Sequence, residues 1–446
     1  MAKTYSVPLP PSKAFLDMGT DLAAAPKSRL SPATVLLFLA LASYVALPFF
    51  KIPIFDLSLS AVIFAFICLN IFLGSGLAGL GEQKLWTILA LWLWIGVLFS
   101  LAGHSVSGLS GKIDLGNWLM FLRLSYWMLV FVLIAFISTE ANAWERLVKV
   151  LGVMICLTAL ARWGEIALFG NIGAWSGTKL QTQNNYGILF STYTPFLLVP
   201  VFTARRGRAL LVLALMLVWG AIALNGSRGS WVAVGLATAI FCLMYFKISH
   251  RIMPLVGFGL LSFVIALALL MTPGKFQQAV TDRASSFQDL DRDKSWNTRM
   301  YQLHKGWELF KEHGFAGVGR GGFTGFVLGG GTERADVSVK TLSSRSAHNA
   351  YIAYLAETGL AGTMPFALLL IFLTWRGYKA AIWWGRRQQF WALAVYLSFL
   401  SMSVHLWVLQ GLYNTSTWLV YGLTAGMISA AARVAREPQT SQDKVA

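Results

Sequence analysis

Charge is scarce in this chain. Only 12% of its 446 residues are Asp, Glu, Lys or Arg, where a soluble domain carries about 25%. Acidic residues are scarcer still, 19 against 36 basic. Cysteine is almost missing. Cys68, Cys156 and Cys242 each lie inside an apolar run, which excludes a disulfide framework or a thiolate metal cluster and leaves three small buried hydrophobes. Zinc, haem and flavin spacings are missing too, and so is any nucleic-acid-binding motif to accompany the net charge of +17. The composition therefore implies neither a metal nor a cofactor. What fills the chain is apolar residue, 56% of the total, with a mean hydropathy of +0.61. Apolar stretches of about 20 residues recur along its length, as in a polytopic helical membrane protein. Barrel strands would alternate instead.

The pattern predicts an all-α chain with about twelve spans: 32–50, 55–74, 85–102, 117–138, 147–169, 185–203, 209–225, 229–246, 252–272, 359–375, 389–409 and 413–432. The Lys27 and Arg29 pair before an apolar run resembles a signal peptide. The run continues past Ala40–Ala42 to Phe50, so a first span is expected instead. Basic residues mark cytoplasmic loops. With both termini inside, nineteen Lys and Arg fall on that side, and the short outer loops hold only Lys51, Lys112, Lys179 and Arg228. The expected plan is a cytoplasmic segment 1–31, nine spans over 32–272, one large external loop 273–347, a final block 348–432 and a cytoplasmic tail 433–446. Membrane lipid is the expected partner of the surplus positive charge, not nucleic acid.

The external loop contains a predicted helix. Trp296, Met300, Leu303, Trp307 and Phe310 recur at spacings of three and four and form one apolar stripe. Ser295 reads as its N-cap and Gly314 as the residue that ends it. This helix is expected across the outer mouth of the bundle, with its stripe against the bundle or the membrane surface.

Charged side chains inside spans are costly and signal function by default. Arg123 falls early in the fourth span, Arg162 late in the fifth, and Arg228 at the outer start of the eighth, in Asn225-Gly-Ser-Arg-Gly-Ser230. All three sit at one depth. Arginine stays charged in a low dielectric, and its planar fork matches phosphate oxygens. Arg228 also lies where a helix N-terminus favours an anion, with Gly226 and Gly229 to admit a ligand close to the backbone. The competing reading pairs Arg162 with Glu165 one turn away and lets Arg123 snorkel. Arg299, in the loop helix, adds a fourth cation.

His348 stands at the mouth of the tenth span, in "RSAHNAYIAYLAETG". With Ser346 as N-cap it falls near the second helical position, where the helix dipole keeps an imidazole neutral and able to accept a proton. Tyr351 and Tyr354 read as interfacial aromatics. Glu357 reads either as a structural partner or as a second acid or base. His304 and His313 read as solvated, and His104 and His405 as isolated. Gly317–Gly322 reads as a flexible crossing, and Asp289–Asp293 as a solvated acidic run.

Three stretches, "LNGSRGSW", "NTRMYQLHKGWELFKEHGFAGVG" and "HNAYIAYLAETGLAG", together resemble the O-antigen ligase and polymerase superfamily. The resemblance covers roughly residues 224–362, and the span plan extends it. It implies a GT-C-like fold and a glycosyltransferase in the bacterial inner membrane, with a periplasmic site. The implied donor is an undecaprenyl-pyrophosphate-linked glycan and the implied acceptor lipid A–core. A monomer needing neither metal nor cofactor is expected. By the resemblance, Arg228 is the phosphate-proximal arginine, Arg299 the loop arginine and His348 the essential histidine. Arg123, Arg162 and Tyr351 are added as pyrophosphate-binding candidates from their place in the plan. One large loop and a short tail favour a ligase over a polymerase or a protein-glycosylating relative. A transporter, the rival from another class, lacks support from any internal repeat or paired broken helices.

Overall fold

The structure, a computed structural model, describes residues 141–169, 183–204, 206–252, 294–319, 349–408 and 415–435, with short pieces elsewhere. Among these residues the architecture is helical: α1 (Ala141–Phe169), α2 (Gln183–Tyr193), α3 (Pro195–Thr203), α4 (Arg208–Asn225), α5 (Arg228–Ser249), α6 (Lys294–His313), α7 (Ala350–Arg386), α8 (Trp391–His405) and α9 (Thr415–Val434). A two-residue antiparallel pair, β1 (Lys51–Ile52) with β2 (Leu57–Ser58), is the exception, in register Lys51 to Ser58. Five described helical stretches are long and apolar enough to cross a membrane: Trp144–Leu168, Tyr186–Thr203, Arg208–Asn225, Arg228–Ser249 and Ala350–Arg386. They match five of the expected spans. The first four spans, the ninth, and most of the 273–347 loop lie outside the described residues.

The bundle is apolar on its outer side as well as in its core. On α1, Trp144, Leu147, Leu151, Ile155, Ala159, Arg162 and Ile166 are buried, while Val153, Leu157 and Leu160 are exposed. Large apolar side chains on both faces suit a helix with lipid on its outer side. The chain is a multi-pass membrane protein.

The centre is formed by α2–α3 and α8. The Tyr186–Thr203 stretch is 83% buried, against 33–44% for the other four crossing helices. It was expected as one continuous span and runs as one, with Thr194 helical (φ −52°, ψ −37°) and one rung of the ladder missing at Pro195. The missing rung has a chemical cause. Pro195 has no N–H, so the Ser191 carbonyl loses its helical donor. Inside a bilayer that group needs another. Ser401 Oγ of α8 donates to the Ser191 carbonyl at 2.6 Å, and Ser398 Oγ donates to the Thr192 carbonyl. Ser398, Ser401 and His405 thus share one face of α8, aimed at this span.

Helix α7 is longer than its predicted span and starts before it. Asn349 is the N-cap, its Oδ1 accepting from the Tyr351 and Ile352 N–H groups at 3.0 and 3.1 Å. The expected cap at Ser346 is therefore corrected, and the second helical position belongs to Tyr351, not His348. Asx side chains do this work because a short carbonyl arm reaches the orphan N–H groups of the first turn.

The loop helix α6 covers the stripe read from the sequence, and Gly314 follows it with φ 36°, but it starts at Lys294, so Ser295 lies inside the helix and is not its N-cap. Of the two expected places for the stripe, the bundle is excluded and the membrane surface is left open. Trp307 is 48% exposed and Trp296 is also exposed, whereas Thr298, Gln302 and Leu309 are buried. The face packed against α7 is mixed polar and small, about a third of a turn away from the tryptophan stripe. Gly306 decides it: a Cβ there would lie 2.7 Å from Ile352 Cγ1 and 3.1 Å from Phe323 Cε2. The close approach of helix to helix sets the face, and hydrophobicity does not.

Gly317–Gly322 was expected to be a flexible crossing; its described part, 317–319, is docked together with residues 314–316. Helix α7 is interrupted at Gly359 (φ 58°, ψ −157°). The interruption frees backbone groups that the loop takes up. Leu360 N donates to the Gly314 carbonyl, Ala361 N to Phe315, Val318 N to Ala356 and Gly319 N to Glu357, at 2.9–3.1 Å. Gly317 lies against the Ala356 and Glu357 carbonyls with no room for a Cβ. Arg299 is thereby carried on a helix fixed to the membrane bundle.

Candidate functional site

The turn between α4 and α5 carries Arg228. Gly226 takes φ 66°, the left-handed conformation that ends a helix without steric cost. Ser227 occupies the N-cap with extended backbone (φ −83°, ψ 102°), and its carbonyl accepts the first helical bonds, from Ser230 N at 3.1 Å and Trp231 N at 3.3 Å. Trp231 Nε1 donates back to the Ile222 carbonyl at 3.0 Å, which clamps the turn. Arg228 is the first residue of α5 and half-buried, where the helix dipole adds to its own charge.

The two helices that flank this turn approach it closely. A Cβ on Gly187 of α2 would lie 2.6 Å from Ser230 Oγ and 2.9 Å from Ser227 Oγ. A Cβ on Gly229 would strike Val408 and come 3.6 Å from His405 Cε1. Gly229 was read as space for a ligand. The space is filled by Val408 and His405, so the glycine serves packing.

His405 is the residue that sequence reasoning missed. It ends α8, is buried, and places Nδ1 3.1 Å from Ser191 Oγ of α2. The next residue, Leu406, accepts from Ala350 N at 2.9 Å. One histidine thus stands where the Arg228 turn and the start of α7 meet. The available signal was the Ser398, Ser401, His405 spacing in an apolar span, a polar stripe ending in an ionisable group.

The remaining candidates divide. Arg162 Nη1 donates to Glu165 Oε2 at 3.0 Å with both side chains buried, and its guanidinium lies 5.4 Å from the Tyr186 ring centroid. Of the two sequence readings, the ion pair is the one observed. Tyr186 precedes Gly187, so this pair stands one residue from the Arg228 turn. The Tyr351 hydroxyl donates to the Ser403 carbonyl at 2.7 Å, and its ring packs on Trp407. It braces α7 on α8. Glu357 is buried within the docked kink, which favours the structural of its two readings. Arg123 and His348 lie outside the described residues, as does Asp289–Asp293. The two residues after His348, Asn349 and Ala350, are the cap and the partner of Leu406. Among the described residues no group of three or more His, Cys, Asp or Glu could hold a metal ion.

The site therefore joins a half-buried cation, a helix N-terminus and a histidine within one membrane bundle, an arrangement suited to a multiply charged anion. Among curated proteins none matches the chain. A family model does: residues 211–367 match that of the O-antigen ligase. The matched stretch runs from α4 through the Arg228 turn and α6 into α7, so the part of the chain that carries Arg228 and Arg299 is similar to the O-antigen ligase family, while α2 and α8 lie outside the match.

Proposed function

We propose that the protein is an inverting glycosyltransferase that moves a glycan from undecaprenyl pyrophosphate to a sugar hydroxyl of lipid A–core. The site faces the periplasm in this reading, in a bacterial inner membrane, with both chain termini cytoplasmic. The GT-C-like plan of about twelve spans belongs to the same reading. One observation carries it: the Arg228 turn, the Arg299 helix and the start of α7 all lie in the stretch that matches the ligase family, with α6 packed on α7 at Gly306 and α8 touching both the turn and the α7 start.

The chemistry follows from the substrates. Pyrophosphate is already a good leaving group, so it needs charge stabilisation more than protonation. Arg228, with the α5 N-terminus behind it, and Arg299 hold the two phosphates, and Arg123 joins them by depth. The acceptor hydroxyl is a weak nucleophile. His348 takes its proton as the new bond to the anomeric carbon forms. The bond from that carbon to the pyrophosphate oxygen breaks in the same step, and the leaving group keeps the electron pair. A single displacement inverts the anomeric centre and requires neither metal nor cofactor. Arg162 and Tyr351 hold the scaffold in this scheme, because their polar atoms are engaged by Glu165 and Ser403.

The test is a lipopolysaccharide gel from a strain lacking the protein, with wild-type and His348→Ala copies returned. Bare core with full-length glycan stranded on carrier lipid, unrelieved by His348→Ala, is the expected result. Core bearing a single repeat unit would make the protein a polymerase. A full ladder from His348→Ala at normal abundance would remove the general base.

A further inference from the structure

We propose that the turn after α6 is a membrane anchor: Phe315 enters the acyl-chain layer of the leaflet in which α7 begins, and Trp307 stands above it at the level of the lipid headgroups. The partner is the bilayer itself, and the contact is made by the loop segment, not by a span.

Two contacts fix how α6 lies against α7. Gly306 packs on Ile352, where a Cβ would come 2.7 Å from Cγ1. Further on, Leu360 N donates to the Gly314 carbonyl at 3.1 Å and Ala361 N to the Phe315 carbonyl at 3.0 Å. The step from Gly306 to Gly314 equals the step from Ile352 to Leu360. The two helices therefore run side by side in one direction for about two turns, and Phe315 is at the deep end of the pair.

The surface of α7 shows what meets that end. No side chain from Ala350 to Gly359 is exposed. Past the break, Leu360, Met364, Leu368, Ile371 and Trp375 are all exposed. Their spacings of three and four make the lipid-facing stripe of a membrane helix. Ile352 and Ala356 precede Leu360 on the same four-residue row. Both are buried, Ala356 in one cluster with Leu309 of α6. Helix α6 thus covers the row before Leu360, and lipid covers it afterwards. The turn stands at the boundary, and Phe315 is 67% exposed there.

Depth follows from the length of the stripe. At its far end Trp375 is exposed beside Arg376, and Lys379 Nζ lies 4.4 Å from the Trp375 ring centroid. Aromatic and basic residues together mark a bilayer interface. From Trp375 back to Leu360 the helix rises about 22 Å. A hydrocarbon core is about 30 Å thick, so Leu360 and the turn beside it fall about 8 Å inside its near edge. Any tilt of α7 takes them deeper. Trp307 stands about 12 Å higher along α6, just outside the hydrocarbon, where tryptophan is favoured. Trp296 is about 16 Å further out again. Lys311 and Glu312, both exposed in the last turn of α6, limit the insertion. Their charged heads reach back to the headgroups on flexible stems, so only the turn enters the hydrocarbon. In the transfer reading, this contact holds the helix that carries Arg299 at a constant depth.

The test uses the full chain in phosphatidylethanolamine–phosphatidylglycerol vesicles. With Cys68, Cys156 and Cys242 replaced by Ala, single nitroxide labels are attached through Trp296→Cys, Trp307→Cys, Phe315→Cys and, as the lipid reference, Met364→Cys. Oxygen partitions into hydrocarbon and a nickel chelate stays in water, so the ratio of their collisions reads depth. The expected result is oxygen over nickel at Phe315, matching Met364, the inverse at Trp296, and an intermediate ratio at Trp307. Nickel over oxygen at Phe315 would put the turn in water. Shielding from both would put another part of this chain, or a second copy, over it. Either outcome overturns the proposal. If a labelled variant fails to accumulate, unsubstituted protein in the same vesicles is treated with a lipid-partitioning diazirine and digested. Carbene adducts on Phe315 as well as Met364 support the anchor, and adducts on Met364 without Phe315 overturn it. Neither readout uses glycan transfer, so a failed anchor leaves the proposed activity standing, and a failed activity leaves the anchor.

Discussion

Ala361 N donates to the Phe315 carbonyl at 3.0 Å, across the break in α7 at Gly359. This bond ties a loop to the middle of a membrane helix. It exists because Gly359 takes φ 58° and ψ −157°, a conformation close to glycine-only territory. A Cβ there would also drive into the Phe315 carbonyl. Gly359→Ala is therefore expected to cost about 1–3 kcal/mol, and to release residues 314–319 while the helical bundle persists. Limited proteolysis should show new cleavage between α6 and α7. Transfer should fall in parallel, because Arg299 loses its mount. An unchanged digestion pattern would mean that the docking does not depend on this glycine.

The buried face of α6 makes a second prediction, against what its sequence suggests. Trp296 and Trp307 form the apolar stripe, yet both are exposed. Replacing either by Ala should change bundle stability by no more than about 0.5 kcal/mol, as for a surface position. Gly306→Val should do far more, because even a Cβ would sit 2.7 Å from Ile352 Cγ1. Overpacking of this kind costs about 1–3 kcal/mol. Melting curves in one detergent would rank the three. If the tryptophan variants are the destabilised ones, α6 packs by its stripe after all.

Much of the fold was legible, for physical reasons that differ by element. Spans such as Arg208–Asn225 were readable because lipid requires about 20 apolar residues in a row. The Arg228 turn was readable because Asn-Gly-Ser combines a helix-ending glycine with a capping residue. The start of α7 was placed three residues early because Ser346 and Asn349 are both good caps, and only tertiary contact with Leu406 chooses between them. The tryptophan stripe was legible but its partner, bundle or membrane surface, was not, because periodicity finds the most apolar face and not what covers it. At a close helix crossing the face with the smallest residue wins. His405 was dismissed as isolated, since its partners Ser191 and Gly229 lie more than 170 residues away in sequence. Convergence of that kind is a property of the packed bundle and leaves no local pattern.

Arg162 offers a test between scaffold and binding site. Its ion pair with Glu165 is buried. Breaking one partner of such a pair costs about 3–5 kcal/mol, whereas replacing both by apolar residues of similar volume is often neutral. Glu165→Ala should therefore lower the melting temperature sharply, and Arg162→Met with Glu165→Leu should recover most of the loss. If Arg162 serves only the scaffold, the double variant also transfers glycan. A stable double variant that cannot use the donor would return Arg162 to the phosphate site, as its depth in the membrane first suggested.

The serines of α8 allow the sharpest account of the bundle's centre. Ser401 Oγ donates to the Ser191 carbonyl, which Pro195 leaves without a helical partner. Ser401→Ala orphans that carbonyl in a dry interior, at a cost of about 1–3 kcal/mol. Pro195→Ala returns an N–H four residues on, so the carbonyl could again be satisfied within its own helix. The two substitutions should thus couple. In a Pro195→Ala background, Ser401→Ala should cost less than half of what it costs in the wild type, measured as a double-mutant cycle on unfolding in mixed micelles. Additive effects would mean that the span is held to α8 by packing rather than by this bond. Ser191 meets Ser401 through its carbonyl and His405 Nδ1 through its hydroxyl. The residue whose carbonyl α8 satisfies is thus the same one whose hydroxyl meets the histidine.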